Sequence, residues 1–126
     1  MIFGIGVDIV RVSRMQDCLD KYGERFARRI LGESEWPEFQ SNMKKAHFLA
    51  KRFAAKEAAV KAMGLGFRDG LHLKHICVGH DAKGKPVLEF TSRARELSEE
   101  LGVGEGFISL SDEEDNAIAF VTLMLK

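Results

Sequence analysis

The segment that most limits how this chain can fold is His47 to Met63, HFLAKRFAAKEAAVKAM, an Ala-rich run of strong helix formers with no Gly or Pro inside it. Gly64-Leu65-Gly66 then stops it, and GLGFRDG reads as a loop able to pass close to a ligand. At about 100° per residue, Leu49, Phe53, Val60 and Met63 fall within roughly 80° and form a packing face. Glu57 lies about 40° beyond the Phe53 side of that face and Lys61 about 40° further, in the favourable Glu-to-Lys i,i+4 order. The helix alone leaves two readings open for this pair, a surface ion pair or a chemical site on one edge. Lys56 projects near the middle of the apolar arc, where an ammonium must snorkel outward or meet an anion.

The remaining elements follow from period and punctuation. Residues 2–10 are Ile- and Val-rich without helical spacing; extended, Phe3, Ile5, Val7 and Ile9 share one face, and Gly4, Gly6 and Asp8 the other. That bare face leaves room for another backbone, an ion or a ligand. Ser13 and Gln16 have the spacing of a capping box, and the stripe Met15, Leu19, Tyr22, Phe26 and Ile30 predicts one helix from about Arg14 to Ile30, ended by Gly32. Trp36-Pro37 suggests a short helical turn and residues 40–45 a linker. Extended segments are expected at 75–78, 87–90, 107–111 and 116–125, with a helix at 92–101. This order predicts an α+β domain with an antiparallel sheet packed against helices.

Length and charge narrow the functions. The chain has 126 residues, which suits one domain, 1–126. Nineteen Lys plus Arg balance nineteen Asp plus Glu, so no global field favours nucleic acid or membrane, and the aromatics mostly follow packing spacings. Cys18 and Cys77 lack a CxxC spacing, which argues against a zinc knuckle or a disulfide framework. The N-terminus has no basic n-region and no apolar run reaches membrane-spanning length, so a soluble cytoplasmic protein is expected. One local charge feature stands out. Arg14, Lys21, Arg25 and Arg28 repeat at seven, four and three and form a basic ridge on the predicted helix, diluted but not erased by Asp17, Asp20 and Glu24; it is either a solvated face or a docking surface for an acidic partner.

Asp8 bears on the helix edge. A strand carboxylate on a glycine-lined face and the boundary carboxylate Glu57 could supply two hard oxygen ligands to Mg²⁺, an ion that keeps waters and takes its remaining ligands from substrate phosphates. Lys61 beside them would complete a positive environment for a transferring phosphate.

These residues resemble the holo-acyl-carrier-protein synthases, the small bacterial group of 4′-phosphopantetheinyl transferases. The family pattern GxGxDIV stands here as Gly4 to Val10, and RFAxKEAxxKAxGxG as Arg52 to Gly66; the likeness continues through Arg28 to Leu31, the Gly84-Lys85-Pro86 turn and the terminal hairpin. The resemblance implies that family's fold, and transfer of 4′-phosphopantetheine from coenzyme A to a serine of apo-acyl carrier protein, releasing adenosine 3′,5′-bisphosphate. It implies Asp8 and Glu57 as Mg²⁺ ligands and Lys61 as the residue at the reacting phosphate, leaving open the base that takes the serine proton. Arg52, Lys56, Lys44 or Lys45, Gly64 and Gly66 are expected to hold the anionic coenzyme A. Arg14 first, then Lys21, Arg25 and Arg28, are expected to meet the acidic carrier protein.

The resemblance further implies a homotrimer with sites at subunit boundaries. A noncatalytic module that binds carrier protein or coenzyme A is the competing reading, although it has no need for a carboxylate pair. One departure stands out: family members often carry His at the start of the penultimate strand, where this chain has Phe107, which can pack or face an adenine but cannot exchange a proton. His47, His72, His75 and His80 are expected to be structural or exposed.

Overall fold

Nineteen residues of α4 (Lys45–Met63) run through the centre of a computed structural model that describes residues 1–126. Ahead of it come β1 (Ile2–Arg11), α1 (Val12–Tyr22), α2 (Glu24–Ile30), a 3-10 turn (Glu33–Glu35) and α3 (Trp36–Ser41). A second 3-10 turn (Leu73–His75), β2 (Ile76–His80), β3 (Pro86–Phe90), α5 (Ser92–Leu101), β4 (Val103–Asp112) and β5 (Asn116–Leu125) follow it. The expected α+β architecture is present, but the strands divide into two antiparallel sheets, β1-β5-β4 and β2-β3. No helix is long and apolar enough to cross a membrane.

The bare face of β1 explains how α4 comes to be central. A Cβ placed on Gly4 would lie 2.0 Å from the Ala62 carbonyl oxygen, and one on Gly6 would lie 2.0 Å from that of Ala58. Two residues along a strand advance about 6.6 Å and four along a helix about 6 Å, so Gly4 and Gly6 keep step with Ala62 and Ala58. Of the three occupants that bare face could take, a backbone fills it, opposite Ala-sized helix positions. From β5, Ala117, Ala119, Val121 and Leu123 complete the contact, all of them fully buried. The packing face inferred from Leu49, Phe53, Val60 and Met63 is therefore too narrow. Ala50, Ala54, Ala55, Ala58, Ala59 and Ala62 are buried as well, and α4 is enclosed on most sides.

Two local expectations are corrected. The helix predicted from Arg14 to Ile30 is interrupted at Gly23, whose φ of 63° lies in the left-handed region that favours glycine. Its first half starts at Val12, with Arg11 at the N-cap and no side-chain cap, so Ser13 is inside the helix and Gln16 donates to Asp20 instead. The linker expected over 40–45 is shorter, residues 42–44, since α3 reaches Ser41 and α4 begins at Lys45.

Candidate active site

Asp8 follows Gly4 and Gly6 on the strand face that meets α4, and α4 brings Lys61 to it. Lys61 Nζ lies 3.0 Å from Asp8 Oδ1 and donates to the Val7 carbonyl at 3.1 Å. Helical side chains lean toward the N-terminus, so a lysine one turn after Glu57 reaches back across Glu57's own turn. Glu57 is half-buried, and its carboxyl is held above the usual range first by burial and then by the Asp8 charge; Lys61 and Arg14 oppose the shift. Arg14 arrives from α1, its guanidinium 5.4 Å from the Phe53 ring centroid. The structure thus brings together Asp8, Glu57, Lys61 and Arg14 from three elements.

Two carboxylates that repel one another fit a hard divalent cation, which prefers oxygen donors and completes its shell with water and phosphate. No three His, Cys, Asp or Glu side chains are grouped so that they could hold a metal ion, so a metal caged entirely by such side chains does not fit. Asp8 and Glu57 are the residues that could hold such an ion, and Lys61 is the ammonium beside it.

Two of the residues expected to hold an anionic donor stand elsewhere. Lys56 is fully buried and gives its three N–H groups to Glu35 Oε1 at 2.6 Å, the Ile76 carbonyl at 2.6 Å and the Leu73 carbonyl at 3.1 Å. Its ammonium does not snorkel outward but meets a buried anion. Burial pulls its pKa down, and Glu35 resists that shift. Arg52 is also buried; it donates to the Val78 carbonyl and, at 3.0 Å, to Glu38, and lies 3.5 Å from Glu35. Glu35 accepts in addition from the Gly32 and Val78 amides at 3.0 and 3.1 Å. Sequence reasoning did not find Glu35; the one available signal was Lys56 itself, whose place on an apolar arc demands a buried anion.

The other expected residues are accessible. Lys44 is exposed at the N-cap of α4, and Gly64 ends that helix in a left-handed turn; a Cβ at Gly66 would meet no atom within 4 Å. Arg14, Lys21, Arg25 and Arg28 are all exposed, but the break at Gly23 divides them between α1 and α2 rather than along one ridge. Arg28 stacks over Trp36 at 4.0 Å and Lys21 over Tyr22 at 5.2 Å.

Phe107 is 42% exposed on β4, with Lys85 Nζ 5.8 Å from its ring centroid. None of the four histidines stands in its place. His47 bonds the Glu114 carbonyl, His80 faces Glu38, and His72 and His75 pack edge to face. Cys77 is buried and its thiol is pushed up by burial, while Cys18 is half-buried. A cavity of about 850 Å³ beside Arg28, Trp36 and Cys77, and another of about 650 Å³ beside Arg11 and His47, both lack Asp8, Glu57 and Lys61 in their walls.

Residues 4–121 match the family model described as the 4′-phosphopantetheinyl transferase superfamily. The chain is 57% identical over 124 residues to the holo-(acyl-carrier-protein) synthase of Nitrosococcus oceani, covering 98% of this chain and 80% of that relative. Among solved structures, the holo-(acyl-carrier-protein) synthase from Neisseria meningitidis aligns with a TM-score of 0.92 at 45% identity, covering 98% of each chain. A Bacillus anthracis holo-(acyl-carrier-protein) synthase in complex with CoA (3′,5′-ADP) aligns with a TM-score of 0.82 at 34% identity, covering 100% of this chain and 99% of that one.

Proposed function

On the premise that the chain belongs to the 4′-phosphopantetheinyl transferase superfamily, we propose a holo-(acyl-carrier-protein) synthase that works from the Asp8, Glu57 and Lys61 cluster. It transfers 4′-phosphopantetheine from coenzyme A to the acceptor serine of apo-acyl carrier protein and releases adenosine 3′,5′-bisphosphate. The observation that carries the site is the meeting of a strand carboxylate, a helix carboxylate and an ammonium that the helix directs back onto them.

The chemistry asks little covalent work of the protein. The serine oxygen bonds to the pantetheine-side phosphorus, the P–O bond to adenosine bisphosphate breaks, and the serine proton leaves to a base. Catalysis then rests on position and on stabilised charge. Asp8 and Glu57 would hold Mg²⁺, which when bound neutralises charge on the pyrophosphate oxygens. Lys61, whose side chain is 53% exposed, has room to leave Asp8 and face the reacting phosphate. Buried in its own network, Lys56 stays out of that step; Lys44, Gly64 and Gly66 are the accessible candidates for donor contacts.

Assembly completes the reading. The outward face of β1-β5-β4 exposes Ile5, Val7 and Ile9 on β1, Ile118 and Phe120 on β5, and Phe107 on β4, each at least 40% accessible. Such a continuous apolar face favours subunit association, and the homotrimer that the family resemblance implies would bury it. Arg14, Lys21, Arg25 and Arg28 offer cations to an acidic carrier protein.

A chromatographic assay tests the reading. Coenzyme A should be converted to adenosine 3′,5′-bisphosphate only when apo-carrier protein and Mg²⁺ are both present. Binding of carrier protein with no bisphosphate release, under conditions where a control transferase turns over, would favour the noncatalytic module instead.

A further inference from the structure

The loop that follows α4 returns to α4. Residues 64–72 leave the helix at Gly64 and come back through the turn Leu73–His75 into β2. At that return the Leu73 and Ile76 carbonyls both accept from Lys56 Nζ. Lys56 lies eight residues before Gly64, about two turns or 12 Å back along the helix axis. One end of the loop is therefore fixed covalently to the end of α4, and the other is fixed by hydrogen bonds to its middle.

The ammonium is itself held rigidly. Glu35 balances its charge at 2.6 Å, and the Gly32 and Val78 amides hold Glu35 from the other side. A second tie lies nearer the loop's tip. Arg93 Nε donates to the Asp69 carbonyl at 3.0 Å, Glu96 and Glu100 hold that guanidinium, and Leu71 is buried beside it in the chain. Asp69 has a φ of 56°, a costly conformation for a residue with a Cβ unless its surroundings enforce it. Between the end of α4 and the Arg93 tie, Gly66 has open space around it.

We propose that Lys56 is a positioning residue for the glycine loop: by fastening Leu73 and Ile76 to α4 it fixes the path of residues 64–72 past the turn that carries Lys61, and so controls donor binding without touching the donor. The inference rests on the reading that this loop contacts coenzyme A. Removing the ties should let the loop sample paths unsuited to the donor while the carboxylates and the carrier-facing helices stay in place, so the loss falls on coenzyme A affinity.

The test compares wild type with Lys56→Met combined with Glu35→Gln, which removes both charges of the pair together, and with Lys56→Arg and Arg93→Met. Hydrogen exchange of residues 64–76 and steady-state kinetics are read in parallel. The double variant should exchange about tenfold faster in 64–76 with β1 and β5 unchanged, and its KM for coenzyme A should rise about tenfold with kcat and the carrier-protein KM within about twofold. Lys56→Arg should recover part of that loss. Arg93→Met, which disturbs no buried charge, should move the same two readouts in the same direction by about two- to threefold.

A folded double variant with unchanged exchange in 64–76, or with kcat and both KM values damaged alike, overturns the proposal. If the double variant does not fold, Arg93→Met decides: faster exchange of the loop with an unchanged coenzyme A KM also overturns it. Wild type without coenzyme A turnover refutes the functional reading instead, and the exchange comparison still tests the anchor.

Discussion

Glu57 carries a charge that its surroundings resist. Burial and the Asp8 carboxylate raise its pKa, so the folded chain takes up this proton at a higher pH than the unfolded chain does. The stability linked to protonated Glu57 is present at low pH and lost as pH rises through the folded pKa. Above the unfolded pKa this group therefore costs the metal-free fold stability. Glu57→Gln should melt higher than wild type at pH 7 without metal, the difference should shrink as pH falls below the raised pKa, and the Mg²⁺-induced rise in Tm should vanish. Calorimetry with and without Mg²⁺ checks this, and a variant less stable than wild type at every pH contradicts it. Such a trade of stability for function is common at sites that gather like charges.

Arg14 is the second residue-scale test. It stands over Phe53 and acts on Glu57, so it lies where the basic surface meets the carboxylates. Arg14→Glu should raise the KM for carrier protein about tenfold or more at low salt, with a smaller change for coenzyme A. Equal damage to both substrates opposes a docking role. At this scale Lys56 was legible only in part: its position on an apolar arc announced a partner, but the partner, Glu35, lies 21 residues away in the chain, at a contact no local spacing encodes.

Among elements, the pairing of β1 with α4 positions the site. Gly4 and Gly6 allow the two backbones to touch, and that contact sets Asp8 within reach of Lys61. Gly6→Ala would put a methyl 2.0 Å from the Ala58 carbonyl oxygen, which neither backbone can yield cheaply. The expected cost is about 1–3 kcal/mol or more, measured by urea unfolding, with Mg²⁺ affinity lowered as Asp8 shifts. Unchanged stability would mean that the strand and helix are not in this contact. The bare strand face and the Ala-rich helix were each visible in the sequence; that one fills the other was not, because periodicity describes each element separately. Gly23 shows the converse case: the apolar stripe continues through it, so the period predicted one helix where a left-handed glycine makes two.

For the whole molecule, the outer face of the β1-β5-β4 sheet is decisive. Alternation correctly separated Ile5, Val7 and Ile9 from Gly4, Gly6 and Asp8, yet the Ile and Val side is the exposed one. A single chain's pattern cannot say whether an apolar face meets its own core or another copy, so assembly was the least legible property. Phe120, 44% exposed at the centre strand, tests it. If the proposed trimer forms, Phe120→Glu should shift its sedimentation to that of a monomer and lower turnover together, while far-UV circular dichroism stays unchanged. A monomeric variant with full turnover would show that one chain holds a complete site.

The most direct measurement of the account is the intact mass of apo-acyl carrier protein after incubation with this protein, coenzyme A and Mg²⁺, with Glu57→Gln and metal-free reactions alongside. A gain of one 4′-phosphopantetheine with wild type, absent without metal and reduced at least about a hundredfold in rate with Glu57→Gln, is the predicted result. No gain with wild type, where a control transferase converts the same carrier protein, contradicts the activity, and full conversion by Glu57→Gln contradicts the site.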